Sequence, residues 1–281
     1  MTQQPKKMKK IYFISIIFAF ISCNSIKVKE TELDTTQDLL GKIKQIEMTT
    51  FHYPINNKDT IVRKENSIFL FGMKNILIKQ IDYNSKFFDE TNFNYKNNLL
   101  ENTISKIGKR ITKTLYKYDH KNNVIEYGQL TNDTLYFKKS SIYDSKNNPI
   151  EQTYFHPNYR SNNSVEKFNY DYKNRTVNIQ GFDENNKPNN QYLKNYFDKN
   201  GFIIKIEFIY TDSNKGYSST SKIEYDNLGN LTKRTNFDKD GKLKETIIYK
   251  NTYDDKGNII VREKYLKENL FEKTTYKITY R

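Results

Sequence analysis

Alanine and cysteine are nearly missing from this 281-residue chain, which holds only Ala19 and Cys23 of each kind. With one thiol no intrachain disulfide can form, so the fold cannot rest on covalent staples. With almost no alanine and abundant Thr, Ile and Tyr, little helix is expected beyond residue 40, because β-branched and aromatic residues favour strands. Histidine is limited to His52, His120 and His156, separated in sequence and away from any plausible ligand set, so neither a metal centre nor a histidine general base is indicated. A glycine-rich phosphate loop, a nucleophile elbow and a zinc-protease helix are all missing. The apolar run Ile11–Ile21 has 11 residues, where a membrane-spanning helix needs about 20.

What the chain does contain is a repeat. An aromatic residue, Asp or Asn, two variable residues, then Gly or Asn recurs from Phe93, Tyr118, Tyr143, Tyr170, Phe197, Tyr225 and Tyr253, at spacings of 25, 25, 27, 27, 28 and 28. A period of this size marks a repeat architecture. Asp119, Asp144, Asp171, Asp198, Asp226 and Asp254 stand at the first turn position, where a carboxylate can cap the amides that follow. Gly201, Gly229 and Gly257, or Asn in earlier copies, tolerate positive φ three residues later. This is the chemistry of a type I turn closed by a left-handed residue, a common joint between antiparallel strands.

A second set of turn signals lies half a period out of phase: Lys106 to Gly108, Asn132-Asp133, Pro157-Asn158, Asp183 to Asn186, Asp212 to Gly216, and Asp238 to Gly241. Two of these, beginning at Phe182 and at Phe237, reproduce the main motif, with Asp238 and Gly241 at its key positions. Between turns the strands alternate: Ile204, Ile206, Phe208 and Tyr210 with Lys205 and Glu207, and Tyr276, Ile278 and Tyr280 with Thr275, Lys277 and Thr279. The expected fold is therefore all-β, an antiparallel meander of hairpin repeats with strands of about 6 to 9 residues. About 14 strands are expected between residues 75 and 281, with a few more from Lys42 to Ile81. Because open sheets beyond about ten strands curl, the expected shape is a long, twisted strip or partial barrel. Main-motif turns should share one edge and the half-period turns the other. The aromatic before each main turn should be at least half-buried and stack on its counterpart one repeat away.

Lys6, Lys7, Lys9 and Lys10 precede the apolar run, and Ser22-Cys23-Asn24 follows it. A basic start, a short apolar core and a small residue suit a signal peptide. Ser22-Cys23 resembles the lipobox of bacterial lipoproteins, with Phe20 where Leu is usual. That resemblance implies that Cys23 becomes the lipidated N-terminus and leaves no thiol nucleophile. Residues 1–22 read as a lipoprotein signal peptide, with Met8 an alternative start, residues 23–38 as the lipidated cysteine and flexible tether, and residues 39–281 as a single repeat domain.

Tyr225 to Leu231 (YDNLGNL) and Tyr253 to Ile259 (YDDKGNI) resemble the YD repeats of the Rhs family, and the likeness runs from about residue 93 to 281 with Asn replacing Gly in the four earliest copies. The stretch Leu40 to Lys44 looks like the opening of small YD-type lipoproteins. The resemblance implies a strip of antiparallel hairpins. The chain has neither the Asp-Pro-rich autoproteolytic core nor the downstream toxin of the large Rhs members, so only their scaffold is implied.

Loss of the four N-terminal lysines takes the formal charge from +14 to +10. The repeated Asp residues could suggest the paired carboxylates of a glycosidase, but their turn positions account for them. Export argues against a nucleic-acid partner. A transmembrane barrel would need an apolar lipid face over about 9 to 11 residues per strand, whereas Lys and Glu recur here. Two readings remain for a non-enzymatic outer-membrane lipoprotein of the cell envelope without cofactor or metal: a binding module for an acidic glycan, anionic polymer or envelope protein, or a pure scaffold. Exposed aromatics laddered along one face would favour binding, and aromatics packed inward would favour the scaffold.

Overall fold

The computed structural model describes residues 39–54, 63–83, 88–159, 163–211 and 218–281. The expected signal peptide, Cys23 and expected tether lie outside the described residues, as does the expected turn from Asp212 to Gly216. The described residues build one antiparallel sheet of 18 strands. Its first part comprises β1 (Ile43–His52), β2 (Arg63–Phe71), β3 (Leu77–Tyr83), β4 (Phe88–Lys96), β5 (Leu99–Ile107) and β6 (Arg110–Tyr118). Then come β7 (Val124–Thr131), β8 (Thr134–Tyr143), β9 (Pro149–Phe155), β10 (Ser164–Asp171), β11 (Thr176–Phe182) and β12 (Pro188–Phe197). The last six are β13 (Ile203–Tyr210), β14 (Ser219–Tyr225), β15 (Leu231–Phe237), β16 (Leu243–Tyr253), β17 (Ile259–Leu266) and β18 (Asn269–Tyr280). One short 3₁₀ turn, Met73–Asn75, lies between β2 and β3.

Every strand pairs with the next, and β1 pairs with both β2 and β18. The sheet is therefore a closed barrel, which corrects the expected strip or partial barrel. Closure follows from the twist that accumulates over many strands and from the cost of leaving two unpaired edges. The rows of β1 and β18 match: Ile46 lies opposite Ile278, Met48 opposite Tyr276 and Thr50 opposite Thr274, the last pair joined through their hydroxyls at 3.1 Å. Local spacing carries no trace of this pairing, because its partners are more than 200 residues apart. The strands also run longer than expected, from 7 to 12 residues.

Turns leaving even-numbered strands gather at one end, here the motif rim, and those leaving odd-numbered strands at the opposite rim. Seven turns share one geometry. After Tyr118, Tyr143, Phe197, Tyr225 and Tyr253 at the motif rim, and after Phe182 and Phe237 at the opposite rim, the Asp amide donates to the carbonyl four residues on, at 2.8–3.0 Å. Its carboxylate accepts from the amides two and four residues on, as Asp254 does from Lys256 at 3.0 Å and Asn258 at 2.8 Å. The residue at the third position after Asp is left-handed throughout, with φ of 66° at Asn122, 66° at Asn147, 85° at Gly201, 79° at Gly229, 87° at Gly257, 59° at Asn186 and 78° at Gly241.

Two main-motif copies depart. At Phe93 the strand runs on to Lys96 and reverses over Asn97-Asn98, both left-handed at 52° and 62°, a two-residue hairpin turn that adjacent asparagines permit. After Tyr170 the strand includes Asp171, and Arg175 rather than Asn174 takes positive φ, 53°. Asp171 there caps the Asn174 amide at 3.0 Å.

The faces follow from the registers, since residues opposite one another in a ladder project to the same side. One face holds the buried side chains, in two clusters: Ile43, Ile46, Phe69, Phe71 and Leu77 around the closure, and Val177, Phe197, Ile203, Ile223, Leu231 and Tyr249 across β11 to β16. Ile43 at 0% and Ile46 at 2% exposure cannot lie on the convex side of an isolated barrel, so the apolar face is the concave one. Charges lie on both faces: the convex one carries the Lys117–Glu126–Lys138 chain at 2.8 and 2.6 Å, and the concave one the Lys264–Glu272 pair at 3.0 Å.

The turn geometry yields one stability prediction. A Cβ at Gly257 would meet Leu40 Cδ1 at 3.2 Å, in a left-handed backbone besides. Gly257→Val is expected to cost about 1–3 kcal/mol, and Lys256→Ala next to it less than about 1 kcal/mol, measured by denaturant unfolding. Equal losses would show that the turn does not depend on its left-handed residue.

Candidate binding surface

The motif-rim residues are structural clasps. Tyr118, Tyr143 and Tyr225 donate their hydroxyls to the carbonyls of Leu100, Val124 and Ile203, in the strand that leaves the preceding turn, at 2.8, 2.9 and 2.8 Å. Tyr253 donates to the second carboxylate oxygen of Asp226, and Tyr280 to that of Asp254. In the divergent turn Tyr172, stacked on Tyr170 at 5.5 Å, supplies the hydroxyl that reaches Asp144. Burial first, and the accepting carboxylate second, push the Tyr253 and Tyr280 hydroxyls up to about 12, so both stay protonated donors. Burial works against ionisation of Asp254, but the Tyr280 hydroxyl and the turn amides outweigh it and hold the carboxyl below its usual range.

Phe197 is buried, and Phe93, Tyr118, Tyr143, Tyr170, Tyr225 and Tyr253 are half-buried on the concave face. They do not stack on their counterparts; the ring contacts here are Tyr170–Tyr172 and Phe202–Tyr225. At Tyr118, Tyr143, Tyr225 and Tyr253 a hydroxyl donated to the preceding hairpin, rather than ring contact, tethers the repeat to its neighbour. Among the described residues no three His, Cys, Asp or Glu side chains form a group that could hold a metal ion.

The same turn motif shows its aromatic outward at the opposite rim. Phe182 lies opposite Val165, and Phe237 near Leu243, both on the convex face. This is a consequence of topology. A meander that proceeds in one direction around a barrel relates its two rims by a two-fold axis lying in the sheet across the strands, and that operation exchanges the faces. Lysines then cover these outward rings: Lys167 stands 4.8 Å from the Phe182 centroid, Lys222 5.3 Å from Phe237, and Lys250 4.5 Å from Tyr265. Lys194 and Lys205 both approach Tyr196, at 5.2 and 4.7 Å. Sequence reading found Phe182 and Phe237 as motif copies; their outward direction was available from the parity of turns, while the covering lysines depend on the register.

A shallow groove of about 400 Å³ lies between the Asp119 and Asp144 turns, lined by His120, Lys121, Ile125 and Ile142 among others. Its two aspartates are engaged by turn amides, so they are not positioned as a free catalytic pair.

No family model matches the chain, and no curated protein matches it in sequence. Among solved structures, a porin-like protein from Bacteroides uniformis is 10% identical over 86% of this chain and 99% of its own, with a TM-score of 0.44. A porin-like protein from Bacteroides vulgatus is 10% identical over 85% and 98%, with a TM-score of 0.27. The Tc holotoxin pore of Photorhabdus luminescens is 11% identical over 75% of this chain and 14% of that one, with a TM-score of 0.25.

A carboxylate pair on the concave wall generates a pH prediction. Asp82 and Asp89 lie opposite each other in the β3–β4 ladder. Asp82 accepts from Ser67 at 2.5 Å and Gln80 at 2.9 Å, whereas Asp89 Oδ1 is buried without a partner. Burial raises both carboxyls, and Asp82 raises Asp89 further. A carboxyl raised in the folded state contributes stability below its unfolded value, near 4, and loses it as pH rises through the folded value. Asp89→Asn should therefore raise Tm at pH 7 and leave it nearly unchanged at pH 3. A shift of the same size at both pH values in thermal scans would refute the assignment.

Proposed function

We propose that this chain is a non-catalytic protein of the bacterial cell envelope, anchored to the outer membrane through lipidated Cys23, whose barrel serves as a scaffold for a binding surface on its convex wall. The observation that carries the reading is the recurrent placement of lysine ammonium groups over outward aromatic rings, at Phe182, Phe237, Tyr265 and Tyr196. Such a wall offers positive charge on an apolar support and favours an anionic polymer, acidic polysaccharide above all, over neutral ligands. The inward motif-rim aromatics support the scaffold half of the reading. The lipobox resemblance and the YD-type repeats support the envelope location, and the turn duties of the aspartates support a non-enzymatic role.

The charge reading is tested on immobilised polygalacturonate. The full chain should be retained at low salt and released as salt approaches 1 M, where screening shortens to about 3 Å, and the Lys194→Gln, Lys222→Gln, Lys250→Gln variant should elute earlier. Retention that ignores both salt and the three substitutions would remove the electrostatic reading. The anchor is tested separately: Cys23→Ser should abolish incorporation of a fatty-acid probe, and labelling of that variant would show attachment elsewhere or none through this residue.

A further inference from the structure

The convex wall is not uniform around the barrel. Phe182, Phe237 and Tyr265, at the opposite rim between β10 and β18, lie under lysines, whereas among the described residues no lysine stands over an outward ring from β3 to β9. Tyr83 and Phe88 lie opposite each other and meet edge to face at 5.4 Å, with exposures of 39% and 51%. Farther round, Ile111 and Phe155 are exposed on the same face near the same rim. Lys106 lies opposite Ile111 in the ladder, and Lys138 opposite Phe155. Gly128, opposite Lys138 and Leu115, places no side chain in the row between them.

We infer that this stripe, from Tyr83 and Phe88 across to Ile111 and Phe155, is where the sugar rings of an extended acidic polysaccharide stack; the inference rests on the proposed function and adds, beside the lysine-covered wall that attracts the polymer, the place where its rings are held. Bare aromatic faces offer flat apolar platforms for the C–H faces of sugar rings, and tyrosine adds a hydroxyl. Lys106 places an ammonium group beside those platforms, where a carboxylate borne on the sugars can pair with it; Lys138, opposite Phe155, is held by Glu126 at 2.6 Å. Seven strands at about 4.8 Å spacing make the stripe about 30 Å long, enough to engage several sugar rings at once. A lipid surface fits less well, because the turns beyond the stripe carry Lys109 and Asp133, which would have to enter the bilayer before the rings did. The outward rows behind it carry Lys79–Glu90 and Lys138–Glu126 ion pairs.

The chain has no tryptophan, so one introduced at the stripe reports from a single place. In the full chain, Phe155→Trp should show a saturable emission change with oligogalacturonate, and Leu228→Trp, at a turn on the motif rim, should show none. Phe88→Ser combined with Phe155→Ser should weaken retention on polygalacturonate at least tenfold with the far-ultraviolet circular dichroism unchanged; Leu228→Ser combined with Leu243→Ser, equally exposed but off the stripe, should alter it less than twofold. Phe88→Tyr with Phe155→Tyr, which keeps both platforms, should restore binding and guards against a folding artefact. If wild type binds but the serine pair binds equally well, the site lies elsewhere and this inference fails alone. If wild type binds no acidic polysaccharide, the functional reading fails with it. Loss of vesicle binding or of self-association in the serine pair, with polysaccharide retention intact, would reassign the stripe to a membrane or to a second copy.

Discussion

The barrel depends on one small electrostatic device, an aspartate carboxylate that accepts two main-chain amides while a residue three positions later turns left-handed. Each such turn satisfies donors that a tight reversal would otherwise strand and fixes the register of the two strands it joins. Where the carboxylate has a second oxygen available at the motif rim, a tyrosine from the next hairpin takes it, as at Asp226 and Asp254. The turns are thus linked in series, and a hairpin cannot shift without breaking a hydrogen bond to its neighbour. At the closure Asn258 plays the linking part: it accepts from the Leu40 amide at 2.7 Å and donates to the Leu40 carbonyl at 2.8 Å and the Tyr280 hydroxyl at 2.7 Å.

Parity then divides the labour between the rims. The motif places its aromatic inward at one rim and outward at the other without any change in its own sequence, so a single local rule builds both an apolar lining and an aromatic exterior. Between β10 and β18 the exterior rings Phe182, Phe237 and Tyr265 are covered by lysine. The stretch that lacks this cover faces water from β3 to β9, which is where a ligand can still reach aromatic faces.

Much of this was legible in the chain. Alternation at residues 204–210 and 275–280 identified strands, and the Asp–Gly spacing identified turns and their left-handed residue. Two copies misled. Phe93 carries the motif letters, but Asn97-Asn98 offers a tighter reversal that wins; Asp171 carries them too, but the turn opens by a residue so that Tyr172 can reach Asp144. In both cases a non-local partner or a competing local turn decides, and the motif alone cannot rank the two. Closure was illegible for a related reason: β1 has no turn signal tying it to β18, and only matched rows of side chains more than 200 residues apart bring them together.

The charge pattern acquires meaning only once the barrel is closed. In an open strip both faces would be partly solvated, and lysines alternating with apolar residues would need no further explanation. In a closed barrel the concave face is sheltered, and all the ammonium groups of the convex wall surround one continuous surface. Their mutual repulsion opposes closure, since like charges on a curved wall cannot move apart. The wall answers with glutamates between lysines, as at Glu126, and with rings beneath them, as at Phe182 and Tyr265, each lowering the local cost of positive charge. A polyanion lying along the wall would relieve the same repulsion, so ligand binding and barrel stability are coupled with the same sign.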